Sequence, residues 1–202
     1  MKLLIFDFDG TIVDSKAVYY SIITKHLKKY FSKKQIQEVI EIGTGLEGLL
    51  EKMGFSFLSR FLLKIRIMRD IKKQIKKIKK CKEVDSIKNL KARKIIVSNS
   101  YSRFIIPILK NLKLKKEFDE VYGAENFLDK AEFIKQYLKK KKISCKDCYY
   151  IGDRVADVEV AKEVGCKSII VLGKCSWSSK KDILKAGPDF IVDSIDKIKE
   201  II

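Results

Sequence analysis

Histidine, proline and tryptophan are scarce in this chain: 202 residues include one His, two Pro and one Trp. With two prolines, no flexible Pro-rich linker is expected. The lone histidine, His26, falls in an amphipathic stretch and reads as a helix-face residue. The pair Cys145-x-x-Cys148 has no second pair at ligand spacing and lies far from His26, so neither a zinc site nor a redox centre is expected. The cysteines are Cys81, Cys145, Cys148, Cys166 and Cys175. Their odd number, with no secretion signal ahead of the first strand, argues against a disulfide framework. No apolar run approaches the ~18 residues of a membrane span, and no internal repeat is visible. These absences point to a cytoplasmic protein without a membrane partner, a monomer or small homo-oligomer.

Acidic residues are also in deficit. Lys and Arg number 44 against 26 Asp and Glu, a net charge of +18. The lysines are spread along helical faces, and no arginine–aromatic cluster of the kind that reads nucleic acid accompanies them. Nucleic acid is therefore not the expected partner, whereas attraction of small anions fits the charge. With 46% hydrophobic residues, the chain has enough apolar content for one core and a small second unit.

What is present is an alternation. Strand-like runs cover Lys2–Phe8, Lys94–Ser98, Glu120–Gly123, Tyr149–Gly152, Ser168–Leu172 and Phe190–Val192. Helical patterns over Ser102–Leu112, Lys130–Lys141 and Val155–Val164 separate several of them. This order predicts an α/β fold, a Rossmann-like parallel sheet in three layers with right-handed crossovers. Pro107 inside the first helical pattern predicts a late helix start or a kink. The interval 14–84 shows helical stripes and no convincing strand. Within it, Ile67, Ile71, Ile75 and Ile78 recur at helical spacing, predicting an amphipathic helix with a cationic outer face. The expected division is a catalytic core of 1–13 and 85–202 and an inserted all-helical cap of 14–84. Gly43-Thr44-Gly45-Leu46-Glu47-Gly48 reads either as a loop over a substrate or as a break between helices.

Four strand ends carry polar groups. Asp7-Phe8-Asp9-Gly10-Thr11 follows the first apolar run. On an extended backbone its two acids point to one side, at the strand end where parallel sheets bind ligands. Ser98-Asn99 follows the second strand, Asp129-Lys130 opens a helix, and Gly152-Asp153-Arg154-Val155-Ala156-Asp157 follows the fourth strand. Like charges this close need a cation or a shared proton. Thr11 reads as a turn or cap residue, Arg154 as the partner of a nearby acid, and Trp177, with Lys174 and Ser176, as surface packing or the mouth of a site.

The order of these four segments resembles the haloacid dehalogenase-like hydrolase superfamily. The opening Phe6–Ser15 and the tail Gly187–Ser194 look like its phosphoglycolate phosphatase-like branch, in which a helical cap follows the first motif. The resemblance implies a phosphoric monoester hydrolase. In it, Asp7 is the nucleophile, Asp9 the general acid–base, and Ser98 and Lys130 complete the catalytic set. Mg²⁺ is implied as cofactor, held by Asp7, Asp9 through its backbone carbonyl, and Asp153, with Asp157 in or just behind that shell. Gly10, Ser98, Asn99 and Lys130 are implied to hold the substrate phosphate. The implied substrate is a small phosphorylated metabolite, with phosphoglycolate the leading guess. A sugar-phosphate mutase of the same fold, a dehalogenase of the same superfamily, and a non-catalytic basic protein binding nucleic acid are the alternative readings.

Overall fold

Apolar runs too short to bury themselves as helices zip together as parallel strands, and the intervening amphipathic segments cover both faces of the sheet. The computed structural model of the chain describes residues 2–42 and 45–202. Strand β1 (Leu3–Phe6) leads into a two-residue strand β2 (Val13–Asp14). Helices α1 (Lys16–Leu27), α2 (Lys33–Ile42), α3 (Gly45–Lys52) and α4 (Phe57–Gln74) follow, then a second short strand β3 (Lys79–Lys80). The remainder alternates: β4 (Arg93–Val97), α5 (Ser102–Asn111), β5 (Glu120–Tyr122), α6 (Lys130–Lys141), β6 (Cys148–Gly152), α7 (Val155–Val164), β7 (Lys167–Val171), α8 (Lys180–Ala186) and β8 (Phe190–Val192).

The main sheet runs β5-β4-β1-β6-β7-β8, with every pair parallel. From β1 the chain winds outward through β4 to β5, then returns to β6 on the other side of β1. The carboxyl ends of β1 and β6 therefore flank a topological switch point, the crevice where such sheets bind ligands. Period-two alternation divides β1 between two cores. Leu4 and Phe6 pack with Ile105 and Ile108 of α5 on one face. Leu3 and Ile5 pack with Ile134 and Leu138 of α6 on the other. Three layers result, as the alternation predicts.

Three expectations need correction. Pro107 lies inside α5, which starts at Ser102 and not late. Proline there removes one donor, toward the Arg103 carbonyl near the first turn, while burial of Phe104, Ile105, Ile108 and Leu109 holds the rest. The interval 14–84 is not free of strand. Asp14 of β2 pairs with Lys79 of β3 in a short antiparallel ribbon, so the two stems of the helical insert are tied where they leave the sheet. The predicted stripe outruns its helix: α4 ends at Gln74, Ile75 opens a 3-10 turn and Ile78 follows it. The outer face of α4 beside Ile67 and Ile71 is cationic as expected, with Arg66, Arg69, Lys72 and Lys73 exposed, while its first turns expose Phe57, Leu58, Phe61, Leu62 and Ile65.

Cysteine pairing also departs from expectation. Cys81, just after β3, is bonded to Cys175 in the loop after β7, with Cα atoms 5.9 Å apart, while Cys145, Cys148 and Cys166 are free. An odd count argues against a framework but not against a single bridge. Ninety-four residues separate the two partners, so the crosslink removes a large loop from the unfolded ensemble. Cys175→Ser is expected to lower the unfolding free energy by about 2–4 kcal/mol. Urea titrations without reductant measure the difference, and it should vanish when both proteins are reduced.

Candidate active site

Local structure delivers each polar group to the switch point. Asp7 and Asp9 leave β1, and the turn that follows is closed by the Ile12 N–H donating to the Phe8 carbonyl. Asp129 caps α6, accepting from the Glu132 N–H at 2.8 Å, which fixes Lys130 in the first turn. Lys130 Nζ donates to Asp7 Oδ1 at 3.1 Å and to the Tyr150 hydroxyl at 2.9 Å, and stands 4.0 Å from Asp157 Oδ1. Asp157 Oδ2 accepts from the backbone N–H groups of Asp153 (3.0 Å) and Arg154 (2.9 Å), a cradle made by the tight entry into α7. Asp153 is buried and fully engaged. Its Oδ1 accepts from the Thr11 hydroxyl at 3.0 Å and its Oδ2 from the Trp177 N–H at 2.7 Å.

One carboxylate oxygen from each of Asp7, Asp153 and Asp157 lies within 4.8 Å of the others, and all three residues are buried. Burial, then the Asp157 charge, pushes the Asp153 carboxyl well above the usual carboxylate range. Burial, then Asp7, raises Asp157 against the pull of Lys130. Three buried acids facing one ammonium call for more positive charge. The donors are hard oxygens, which suits a divalent cation such as Mg²⁺ rather than a thiophilic metal.

Asp9 is in a different situation. Its carboxyl lies outside this trio, which leaves only its backbone carbonyl as a means of joining a metal shell. Burial pushes its pKa up to about 6, against the hydrogen bond of Ser100, and the neighbouring Asp7 charge adds to the rise. The Ser100 hydroxyl donates to Asp9 Oδ2. Two acids two residues apart thus meet opposite surroundings, Asp7 facing an ammonium and Asp9 an enclosed space edged by hydroxyls.

Asp7, Asp9, Ser98, Asn99, Lys130 and Asp157 all line one cavity of about 170 Å³ between the strand ends and the helical insert. Asp153 sits behind them. Ser98 is buried, and its Oγ accepts from the Ser100 N–H at 3.3 Å. Gly10 departs from expectation. Its N–H already donates to the Val13 carbonyl at 2.9 Å, so it is not free for a phosphate oxygen. Its φ of +88° and missing side chain serve another end, because a Cβ there would stand 2.4 Å from both Asp153 Oδ2 and the Trp177 ring.

Three more readings change. Thr11 is a donor to Asp153 and not merely a turn residue. Trp177 is buried and lines the cavity, so of its two readings surface packing fails and the place at the site stands. Among the described residues Arg154 pairs with no acid directly: its guanidinium donates to the Ile40 carbonyl of α2 at 3.1 Å and lies 4.1 Å from the centre of the Trp177 ring. Of the glycine-rich stretch, Gly43 and Thr44 lie outside the described residues, and Gly45–Gly48 form the start of α3. Sequence reasoning missed Ser100, Tyr150 and Tyr19, whose phenol is pushed up by burial and by the Asp9 charge. Ser100 had a signal, the run Ser98-Asn99-Ser100 after a strand. Tyr19 had none, since only the fold-back of α1 brings it there.

Gly152 tests this geometry. A Cβ at that position would fall 2.3 Å from Asp157 Cγ, displacing the carboxylate from its two N–H donors. Gly152→Ala is expected to cost about 1–3 kcal/mol of stability and to weaken divalent-cation binding, as read by urea denaturation and calorimetric cation titration.

The haloacid dehalogenase-like hydrolase model matches residues 4–171, which span the sheet from β1 to β7 and, Trp177 apart, every group just described. Two phosphoglycolate phosphatases are similar in sequence. That of Synechococcus elongatus is 22% identical, covering 96% of this chain and 93% of its own. That of Aquifex aeolicus is 25% identical, covering 85% of each. Among solved structures, a haloacid dehalogenase-like family hydrolase from Streptococcus pneumoniae superposes with a TM-score of 0.83 at 21% identity, covering 100% of this chain and 98% of that one. With the match running through both acids of β1, Lys130 and the Asp153–Asp157 turn, this chain belongs to the haloacid dehalogenase-like hydrolase family.

Proposed function

We propose that the chain is a Mg²⁺-dependent phosphatase that hydrolyses a small phosphate monoester through an aspartyl-phosphate on Asp7. The observation that carries this reading is the contrast between the two acids of β1: Asp7 within 3.1 Å of Lys130 Nζ, and Asp9 enclosed with its pKa raised to about 6. A nucleophile and a proton donor need environments that differ in this way. The phosphoglycolate phosphatases among its relatives support the reaction class and make phosphoglycolate the first ester to assay.

In the first half-reaction an Asp7 oxygen attacks phosphorus and the bond from phosphorus to the ester oxygen breaks. Asp9 gives its proton to that departing oxygen. In the second, Asp9 draws a proton from water, the water oxygen attacks phosphorus, and Asp7 is released with free phosphate. Lys130, Ser98 and Asn99 are assigned to hold the phosphoryl oxygens as charge moves across them. The carboxylates of Asp7, Asp153 and Asp157 and the backbone carbonyl of Asp9 would hold the metal ion, which when bound supplies positive charge beside the phosphoryl group. Residues 14–84 are assigned as a cap over a core of 1–13 and 85–202, sheltering the intermediate from bulk water.

Asp7→Asn is expected to lower kcat by on the order of 10³-fold or more while leaving the fold intact, as read by circular dichroism. Retention of a tenth of the activity would remove Asp7 as nucleophile. Chelation by EDTA should stop phosphate release, and added Mg²⁺ should restore it; full turnover in chelator would take the metal out of the mechanism. Free phosphate is the readout in both, which also separates hydrolysis from return of the phosphoryl group to a sugar.

A further inference from the structure

The cavity has two chemically distinct halves. Its floor is polar, with Asp7, Asp9, Ser98, Asn99, Lys130 and Asp157 at the strand ends. Its roof comes from the helical insert and is apolar: Ile23 of α1, Val39 of α2, Leu46 and Leu49 of α3, and Met68 and Ile71 of α4. The one hydroxyl the insert contributes among the described residues, that of Tyr19, is turned to Asp9 and Ser100. This is notable in a chain with 44 Lys and Arg, because none of the described lysines or arginines of the insert lines the cavity.

Two cations do line it, and both are committed. Lys130 serves Asp7 and Tyr150. Arg154 donates to the Ile40 carbonyl and lies over the Trp177 ring. A phosphoryl group seated against Asp7 and Lys130 would thrust its ester substituent up into the roof. A carboxylate or second phosphate there would meet no free counter-charge among the described residues, and burying an unpaired anion is strongly unfavourable. A polyhydroxylated sugar would leave its hydroxyls without partners against Leu and Ile. An alkyl chain or a single ring would instead displace water from apolar surface.

We infer that the leaving group is a neutral, largely apolar alcohol, a short alkyl chain or one ring, and not glycolate or a sugar. This rests on the phosphatase reading above and names the substrate class for that same site. The two β1 acids and Lys130 make the chain a hydrolase of phosphate esters in general; the roof selects among them.

The test is a series of esters on the intact protein with Mg²⁺ and free phosphate as readout: methyl, propyl, butyl and benzyl phosphate, phosphoglycolate, glycerol 3-phosphate and the general reporter 4-nitrophenyl phosphate. The expected result is a rise in kcat/KM of roughly fourfold per buried methylene from methyl to butyl. Butyl and benzyl phosphate should exceed phosphoglycolate and glycerol 3-phosphate by tenfold or more. Equal or faster turnover of phosphoglycolate or glycerol 3-phosphate overturns the inference while the phosphatase reading stands. Absence of turnover with every ester, the reporter included, removes the phosphatase reading and the inference with it. Arg154→Gln supplies the second arm, since Arg154 is the cation lining the cavity whose hydrogen bond is to a carbonyl and not to a site carboxylate. An unchanged preference for butyl phosphate over phosphoglycolate supports an apolar subsite. A selective loss of phosphoglycolate turnover of tenfold or more shows that Arg154 holds a carboxylate and overturns it.

Discussion

Three carboxylates forced together out of water, with one ammonium between them, set the terms for the rest of this molecule. One oxygen each from Asp7, Asp153 and Asp157 lies within 4.8 Å of the others, and at that range like charges in a poorly solvated crevice repel strongly. The fold accepts that cost by fixing two of the three acids from behind with neutral donors. Thr11 and the Trp177 backbone N–H hold Asp153, and the N–H groups of Asp153 and Arg154 hold Asp157. The donors come from three separate segments of chain, so the cluster exists only when the sheet has closed. The same strain makes the site receptive to a divalent cation, whose binding relieves the repulsion and adds stability by linkage.

The helical insert is coupled to this cluster by a short route. Trp177 gives its N–H to Asp153, carries the Arg154 guanidinium on its ring, and lies two residues from Cys175. Arg154 reaches across to the Ile40 carbonyl at the end of α2, where a helix terminus presents negative partial charge. Cys175 is bonded to Cys81 at the insert's second stem. The loop after β7 thus touches a candidate metal ligand and the base of the insert, and reaches the end of α2 through Arg154. The Cys81 bridge and the β2–β3 pairing restrain the base of the insert, and the Arg154–Ile40 contact is one of several, with Lys16 to the Trp177 carbonyl and Lys64 over the Tyr101 ring, that tie it further out.

Much of the architecture was legible because it rests on local patterns. Six apolar runs of strand length, separated by helical stripes, have few solutions other than a parallel sheet, and all six pair as such. The acids of β1, Lys130 and the Asp153–Asp157 pair were legible for a related reason: each ends a strand or opens a helix, where topology alone converges them. What the sequence concealed depends on contacts between distant segments. The Asp14–Lys79 pairing follows from how the insert folds back, not from any β-propensity in Lys79-Lys80. Thr11 resembled any turn threonine until the β6 end supplied Asp153 as its acceptor. The family resemblance implies a phosphate contact for Gly10, but its own turn takes that N–H and the missing side chain admits Asp153 and Trp177.

Charge acts here at two ranges, and the two have different consequences. The net +18 is spread over the surface and raises the encounter rate with any anion, an effect that salt screens beyond about a Debye length. It cannot distinguish one phosphate ester from another, because every candidate carries the same phosphoryl group. Discrimination must arise where water is excluded, and there the insert presents Ile23, Leu49, Met68 and Ile71 instead of its lysines. A basic exterior over an apolar roof therefore divides the work: the long-range field brings phosphate esters in without regard to identity, and the leaving group is judged inside by what it costs to desolvate.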